Sequence, residues 1–230
     1  VNRSWRTAGR TEGGFDINDS WSWGWDATAV SDRDFLSDYD LDGRDMLASN
    51  VHVTGLSDRN YTKAQIIGWQ TLSDSDDPEQ MPVALPFIQG DYMLEPEVFG
   101  GEFSVRFNAY SLQRQESVNE PGRALELGTH QTHAMGEAEW KRRMISGAGL
   151  VVTPFAQVRS DAYFSQDVPD SEDENDPDFY ITPTAGFDLR MPFIASHGPV
   201  QSVLTPVFQV IAATSEQRDD DNANEDAITL

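Results

Sequence analysis

The 230-residue chain contains no cysteine. Disulfides and thiolate metal sites are therefore excluded, and the redox compartment cannot be read from the sequence. Basic residues are scarce, 16 Lys and Arg against 39 Asp and Glu, for a formal net charge of -23. That balance argues against nucleic acid, whose phosphates require Lys and Arg. No apolar run approaches the roughly 18 residues of a spanning helix, and helical periodicity is nearly absent. The opening VNRSWRTAGR lacks a methionine and the basic head, apolar centre and small-residue cleavage site of a signal peptide. The final NEDAITL carries no stop signal. The expectation is an internal piece of something longer, with residues 1–230 forming part of one domain.

Alternation by two recurs from end to end. In 103–109, Phe103, Val105, Phe107 and Ala109 alternate with Ser104, Arg106 and Asn108. In 179–190, Phe179, Ile181, Phe187 and Leu189 oppose Tyr180, Thr182, Asp188 and Arg190, and in 152–164, Val152, Ala156 and Val158 oppose Thr153, Arg159 and Asp161. Such runs are strands with one apolar and one polar face. Further candidates at 2–13, 20–30, 49–56, 61–72, 84–94, 124–142 and 201–213 bring the expectation to about ten strands. Short connections (16–19, 57–60, 95–100, 145–149, 194–199) alternate with long ones (31–48, 73–80, 114–122, 166–178, 215–226). The long ones hold 25 of the 39 acidic residues, so the charge belongs mainly to one end of a sheet.

Short turns at one end, long polar loops at the other and dyad alternation are the signature of a transmembrane β-barrel. The fold class expected is all-β, an antiparallel barrel wall of about ten meandering strands from a larger barrel. Lipid then explains WSWGW at 21–25. Trp21, Trp23 and Trp25 share one strand face, with Trp21 just past a short turn, where an interfacial aromatic girdle belongs. The alternative is a soluble β-sandwich with a tryptophan-rich core, which usually lacks systematic short and long loops. On the barrel reading Asp26, Arg106, Asn108, Arg159, Asp161, Asp188 and Arg190 face the lumen, because a charge facing lipid costs about 2–4 kcal/mol at the midplane. The small polar residues of those faces suit a wide, wet interior, so the first and last strands are expected not to pair with each other.

VSDRDFLSDYD (30–40) resembles the loop after an early barrel strand in the LPS-assembly outer-membrane proteins, the LptD or organic solvent tolerance family. The resemblance continues through RNYTKAQIIGWQTL (59–72), MPVALPFIQGDYML (81–94), EAEWKRRMISGAGLVVTPFAQVRSDAYF (137–164) and VLTPVFQVIAAT…NEDA (203–227), and is most similar to the alphaproteobacterial branch. It implies lipopolysaccharide transport and insertion into the outer leaflet of a Gram-negative outer membrane. Its implied partners are lipopolysaccharide, membrane lipid, a plug lipoprotein and periplasmic bridge proteins. On that resemblance the family's jelly-roll domain, first barrel strands, closing strands and lipid-exit seam are expected outside this stretch, which also lacks the cysteines many members carry.

VVTPFAQV (151–158) and VLTPVFQV (203–210) are near-copies that place Pro154 and Pro206 inside strands. Proline removes a ladder hydrogen bond, so each marks either a barrel bend or a softened wall. Other motifs carry little chemistry. DYDLDGRDMLAS (38–49) begins like a calcium loop but has Ser49 where a bidentate Glu is needed. The seven carboxylates of 167–178 read as a solvated loop, with divalent-cation gathering the alternative. His130 and His133, three apart on a strand, point to opposite faces and cannot share a metal. WKRR (140–143) sits by a short turn and snorkels there or touches lipid phosphates. No nucleophile–base pattern and no GxxxxGK[ST] occur, so neither an enzyme nor a cofactor is expected. A porin or gated solute receptor, or a secreted binding module, are the competing functions.

Overall fold

The structure, a computed structural model, describes residues 5–40, 43–73, 76–117, 129–166 and 177–214. Its strands are β1 (Ala8–Asp16), β2 (Trp21–Val30), β3 (Met46–Ser57), β4 (Asn60–Thr71), β5 (Val83–Val98), β6 (Gly101–Gln113), β7 (His130–Lys141), β8 (Met144–Ile145), β9 (Val151–Gln166), β10 (Asp178–Arg190), β11 (Phe193–His197), β12 (Val200–Leu204) and β13 (Val207–Ala213). One helical turn, α1 (Phe35–Asp38), and a 3₁₀ turn at Pro78–Gln80 lie in the long connections. The protein is all-β, an antiparallel meander of order β1-β2-β3-β4-β5-β6-β7-β9-β10-β13, with β8 paired to β9 and β11 paired to β12. No helix among the described residues is long and apolar enough to cross a membrane.

The thirteen segments trace ten strands. Lys141↔Phe155 and Met144↔Val152 share one register, so β8 continues β7. Likewise Arg190↔Val207 and Phe193↔Leu204 share one register, so β11 continues β10 and β12 leads into β13. Proline explains both interruptions. By register Pro154 stands opposite Arg142, where β7 breaks, and its carbonyl accepts from the Arg142 amide at 3.1 Å. Pro192 and Pro206 fall together in the second break, where the Met191 amide donates to the Pro206 carbonyl at 3.3 Å. A residue without an N–H cannot continue a ladder.

Several boundaries differ from expectation. The first strand runs 8–16 rather than 2–13, because its register is set by the Phe15↔Trp23 pairing. Residues 95–98 belong to β5, leaving a tight turn at Phe99 and Gly100, both with positive φ. Of residues 194–199, expected as a turn, 194–197 belong to strand β11 and only 198–199 turn the chain into β12. Pro206 lies between strands, whereas Pro154 is inside β9 as expected. The 124–142 strand is described only from His130. The calcium-like loop is described only in part, and the acidic run at 167–176 lies outside the described residues.

Rows of directly opposed residues define the faces. One row crosses nine strands as Phe15, Trp23, Val53, Ala64, Ile88, Ala109, Ala134, Ala162 and Phe179, all apolar. The next row, on the other face, is Asp16, Ser22, Thr54, Lys63, Gln89, Asn108, Met135, Asp161 and Tyr180. Opposed residues share a face and successive ones alternate, so the sheet is a wall with an apolar and a polar side. The apolar row begins one residue before the short turn after β1 and ends at the long-loop end of β10. That oblique path is the strand tilt and shear of a barrel. The outer edges of β1 and β13 do not pair with each other among the described residues.

The apolar face is aromatic near the short turns. Phe15, Trp23 and Trp25 stack with centroids 5.3–5.9 Å apart, and Trp140 Nε1 donates to the Val98 carbonyl at 2.8 Å. The Trp25 and Trp21 rings lie over their cross-strand partners Gly13 and Gly55, so close that a Cβ would meet the rings at 2.4 and 2.8 Å. Only glycine admits that approach. The long connections gather at the opposite end, where the amides of Gln115 and Glu116 donate to the Glu79 carbonyl at 3.0 and 3.2 Å.

Candidate functional site

The polar face is the candidate site, and pairing order determines its chemistry. Asp91, Arg106, Glu137 and Arg159 are successive cross-strand partners on β5, β6, β7 and β9, an alternating row of charge. Arg106 Nη1 donates to Glu137 at 2.9 Å, and its Nε lies 3.4 Å from Asp91. Arg159 turns along its own strand, donating to Asp161 at 2.7 Å from Nε and 2.9 Å from Nη2. Arg190 does the same to Asp188 at 2.6 and 3.3 Å. Arg10 joins Asp26 at 3.1 Å and Glu12 at 2.9 Å. All seven residues assigned to the lumen from sequence therefore lie on one face. The six charged ones are engaged within the wall, and Asn108 sits between Gln89 and Met135 in its row.

One cluster on this face was not anticipated. His133 and Asp161 are almost inaccessible, at 3% and 0% exposure, with His133 Nε2 and Asp161 Oδ1 3.0 Å apart. His133 stacks on Tyr163 at 4.3 Å, Tyr110 meets its edge at 5.4 Å, and Tyr180 lies 6.0 Å beyond Tyr163. The tyrosines and histidine fall on polar-face positions of four strands whose registers the sequence does not reveal. Parity within β7 was the only signal, and it separates His133 from His130, as expected. A carboxylate this buried is retained because two cationic or polar partners satisfy it. Toward the long-loop end the same face carries an apolar cluster of Ile67, Ala84, Tyr110 and Leu112, backed by Trp69 and Phe87.

Toward the short turns, a concavity of about 630 Å³ opens on the polar face between β7, β9, β10 and β13. Lys141, Arg143, Arg190, Glu139, Asp188 and Gln157 are among its lining residues. Lys141 is 3.6 Å from Glu139, and Arg190 is held by Asp188. No group of three or more His, Asp or Glu among the described residues could hold a metal ion. The face can accordingly solvate and hydrogen-bond polar groups through near-balanced charge.

A family model described as "LptD: LPS transport system D" matches residues 4–230. No curated protein matches the chain.

Proposed function

The chain belongs to the LptD family of LPS transport proteins, and from that premise we propose that it forms part of an outer-membrane barrel that inserts lipopolysaccharide into the outer leaflet. The single observation that carries this reading is the two-sided wall, apolar across nine strands on one side and hydrogen-bonding on the other. The apolar side faces lipid, and Asp26, Arg106, Asn108, Arg159, Asp161, Asp188 and Arg190 face the lumen, where the hydrated saccharide passes. Long acidic loops face outward from the cell and short turns face the periplasm, as in bacterial barrels. The barrel continues beyond the open edges of β1 and β13. A plug lipoprotein and periplasmic bridge proteins complete the pathway, and the protein performs no covalent chemistry of its own.

The test places a photo-activated cross-linking residue in the full-length protein in cells. Asn108 and Gln157 on the polar face should capture lipopolysaccharide, whereas Phe107 and Ala156 on the apolar face should capture phospholipid. Equal capture of lipopolysaccharide from both faces would overturn the assignment. Capture of none, together with passage of small solutes, would favour a porin.

A further inference from the structure

The ladder between β2 and β3 stops halfway. It runs from Trp21↔Gly55 to Asp26↔Asn50 and then ends, although both strands continue. On either side the pairing is complete. β1 and β2 stay joined to Ala8↔Val30, and β3 and β4 stay joined to Met46↔Thr71. Two intact hairpins thus part from each other toward the long-loop rim.

Side chains stand in for the missing ladder. Ser49 Oγ accepts from the Thr28 amide at 3.0 Å and lies 3.2 Å from the Thr28 carbonyl, to which it donates. The Gln70 side chain does the same for Val30, with Oε1 accepting from the amide at 3.2 Å and Nε2 donating to the carbonyl at 2.9 Å. The backbone groups of Thr28 and Val30 are thereby satisfied, as a membrane wall requires, without backbone pairing to the neighbouring strand. The described residues 31–40 that follow β2 turn into the cleft. Leu36 of α1 packs with Val30 and Leu47, supported by Phe35 and Leu72, and Leu47 is 1% exposed.

The loop is pinned from outside the cleft. The Arg6 guanidinium hydrogen-bonds Asp32 and Asp38, the latter at 2.7 Å. It also lies 5.6 and 5.8 Å from the Phe35 and Tyr39 ring centroids. These two carboxylates hold its pKa above the ordinary range, led by the hydrogen bond to Asp32.

We propose that the β2–β3 junction is a parting line in the wall, sealed by Ser49 and Gln70, wedged by α1 and pinned by Arg6, which opens from the long-loop rim to widen the barrel for a bulky amphipathic cargo. A ladder of backbone bonds can be opened only by breaking several at once. Two side-chain bridges can swing away on rotamer changes and return. The feature is specific to this junction among the described long strand pairs. Elsewhere a register shifts at a bulge or is interrupted at a proline, and the ladder resumes beyond it. The use of the opening rests on the transport reading, but its existence does not.

Two measurements on the full-length protein in lipid nanodiscs test it. The first is amide hydrogen exchange in Gln70→Ala, with Ser49→Ala as a second variant. Exchange at residues 27–30 should rise about tenfold, while 21–26 and 51–56 hold their wild-type protection. No change at 27–30, or an equal rise along the whole of β2, would overturn the parting line. The second joins Thr28→Cys to Ala48→Cys through a cleavable bis-maleimide, with Ser22→Cys and Thr54→Cys stapled across the intact ladder as control. The seam staple should abolish lipopolysaccharide delivery and its cleavage should restore it, the control staple having no effect. Unimpaired delivery through the stapled seam would overturn the widening role. Loss of lipopolysaccharide cross-links from the polar face would instead strike the transport reading itself.

Discussion

The two halves of the wall satisfy the same requirement in different ways. From β6 to β10 the ladders on β7 and β9 run almost without shift, and the charged side chains pair across or along strands. Between β2 and β3 the backbone pairing fails at the rim, and side chains of β3 and β4 are redirected to main-chain groups of β2. The first region is held by cooperative ladders with ion pairs on top. The second is held by two hydrogen-bonding side chains and a small apolar wedge. A wall that must not expose backbone to lipid can therefore be rigid in one sector and separable in another.

The largest expected effect probes the rigid sector. Asp161 is fully buried and engages both Arg159 and His133. Asp161→Ala leaves those partners without their carboxylate, and the refolded full-length protein should lose about 3 kcal/mol in urea unfolding within micelles. Conservative Asp161→Asn should recover part of the loss by retaining one acceptor. If Asp161→Ala unfolds with the wild-type midpoint, the cluster contributes nothing to the rigidity assigned here.

A comparable test concerns the sides of the same sector. Phe107 lies on the apolar face over Gly90, between Arg106 and Asn108 on the polar face. Phe107→Arg should cost about 2–4 kcal/mol, and Asn108→Arg far less. Equal penalties would mean that both sides are wet. In the separable sector, Gln70→Ala removes two hydrogen bonds to Val30 and should cost about 1–2 kcal/mol, confined to the rim as local exchange rather than as a large shift in global unfolding.

The alternation made the faces legible in sequence, because period two is a local property. Phe103 through Ala109 and Phe179 through Leu189 need no partner to declare their sides. Registers are not local. Nothing in the sequence says that Asp91, Arg106, Glu137 and Arg159 align, that Tyr110, His133 and Tyr163 stack, or that Gln70 reaches Val30 across the line of Leu47. The strand prolines illustrate the boundary between the two. Their near-identical contexts suggested equal roles, yet Pro154 continues inside β9 while Pro206 faces the Met191–Pro192 stretch and joins a break. The opposing strand, invisible locally, makes the difference. The VSDRDFLSDYD motif likewise resolves into Asp32 and Asp38 around Arg6 and Leu36 in the cleft.

The smallest expected effect lies in the long loops next to both sectors. Glu116 and Glu79 approach each other where the Gln115 and Glu116 amides meet the Glu79 carbonyl. The Glu116 carboxyl is raised above its usual range, first by its hydrogen bond to the Glu79 side chain, then by that group's charge, by burial and by Asp77. A carboxyl whose folded pKa is raised binds its proton more readily in the folded loop than in the unfolded chain. The contact is therefore strongest below the ordinary glutamate pKa and weakens as pH rises through the raised value. Once corrected for the intrinsic rate, amide exchange at Gln115 and Glu116 should slow on mild acidification, and Glu116→Gln should make the corrected exchange flat with pH. The group is solvent-exposed, so global stability should barely move. The bridges of the separable sector should be indifferent, since Gln70 and Ser49 do not titrate, and wherever Asp32 and Asp38 keep the charges that hold Arg6, exchange at residues 27–30, once corrected for the intrinsic rate, should be flat. A matching pH response at 27–30 would show that the loops and the seam move together, and the division into independent sectors would fail.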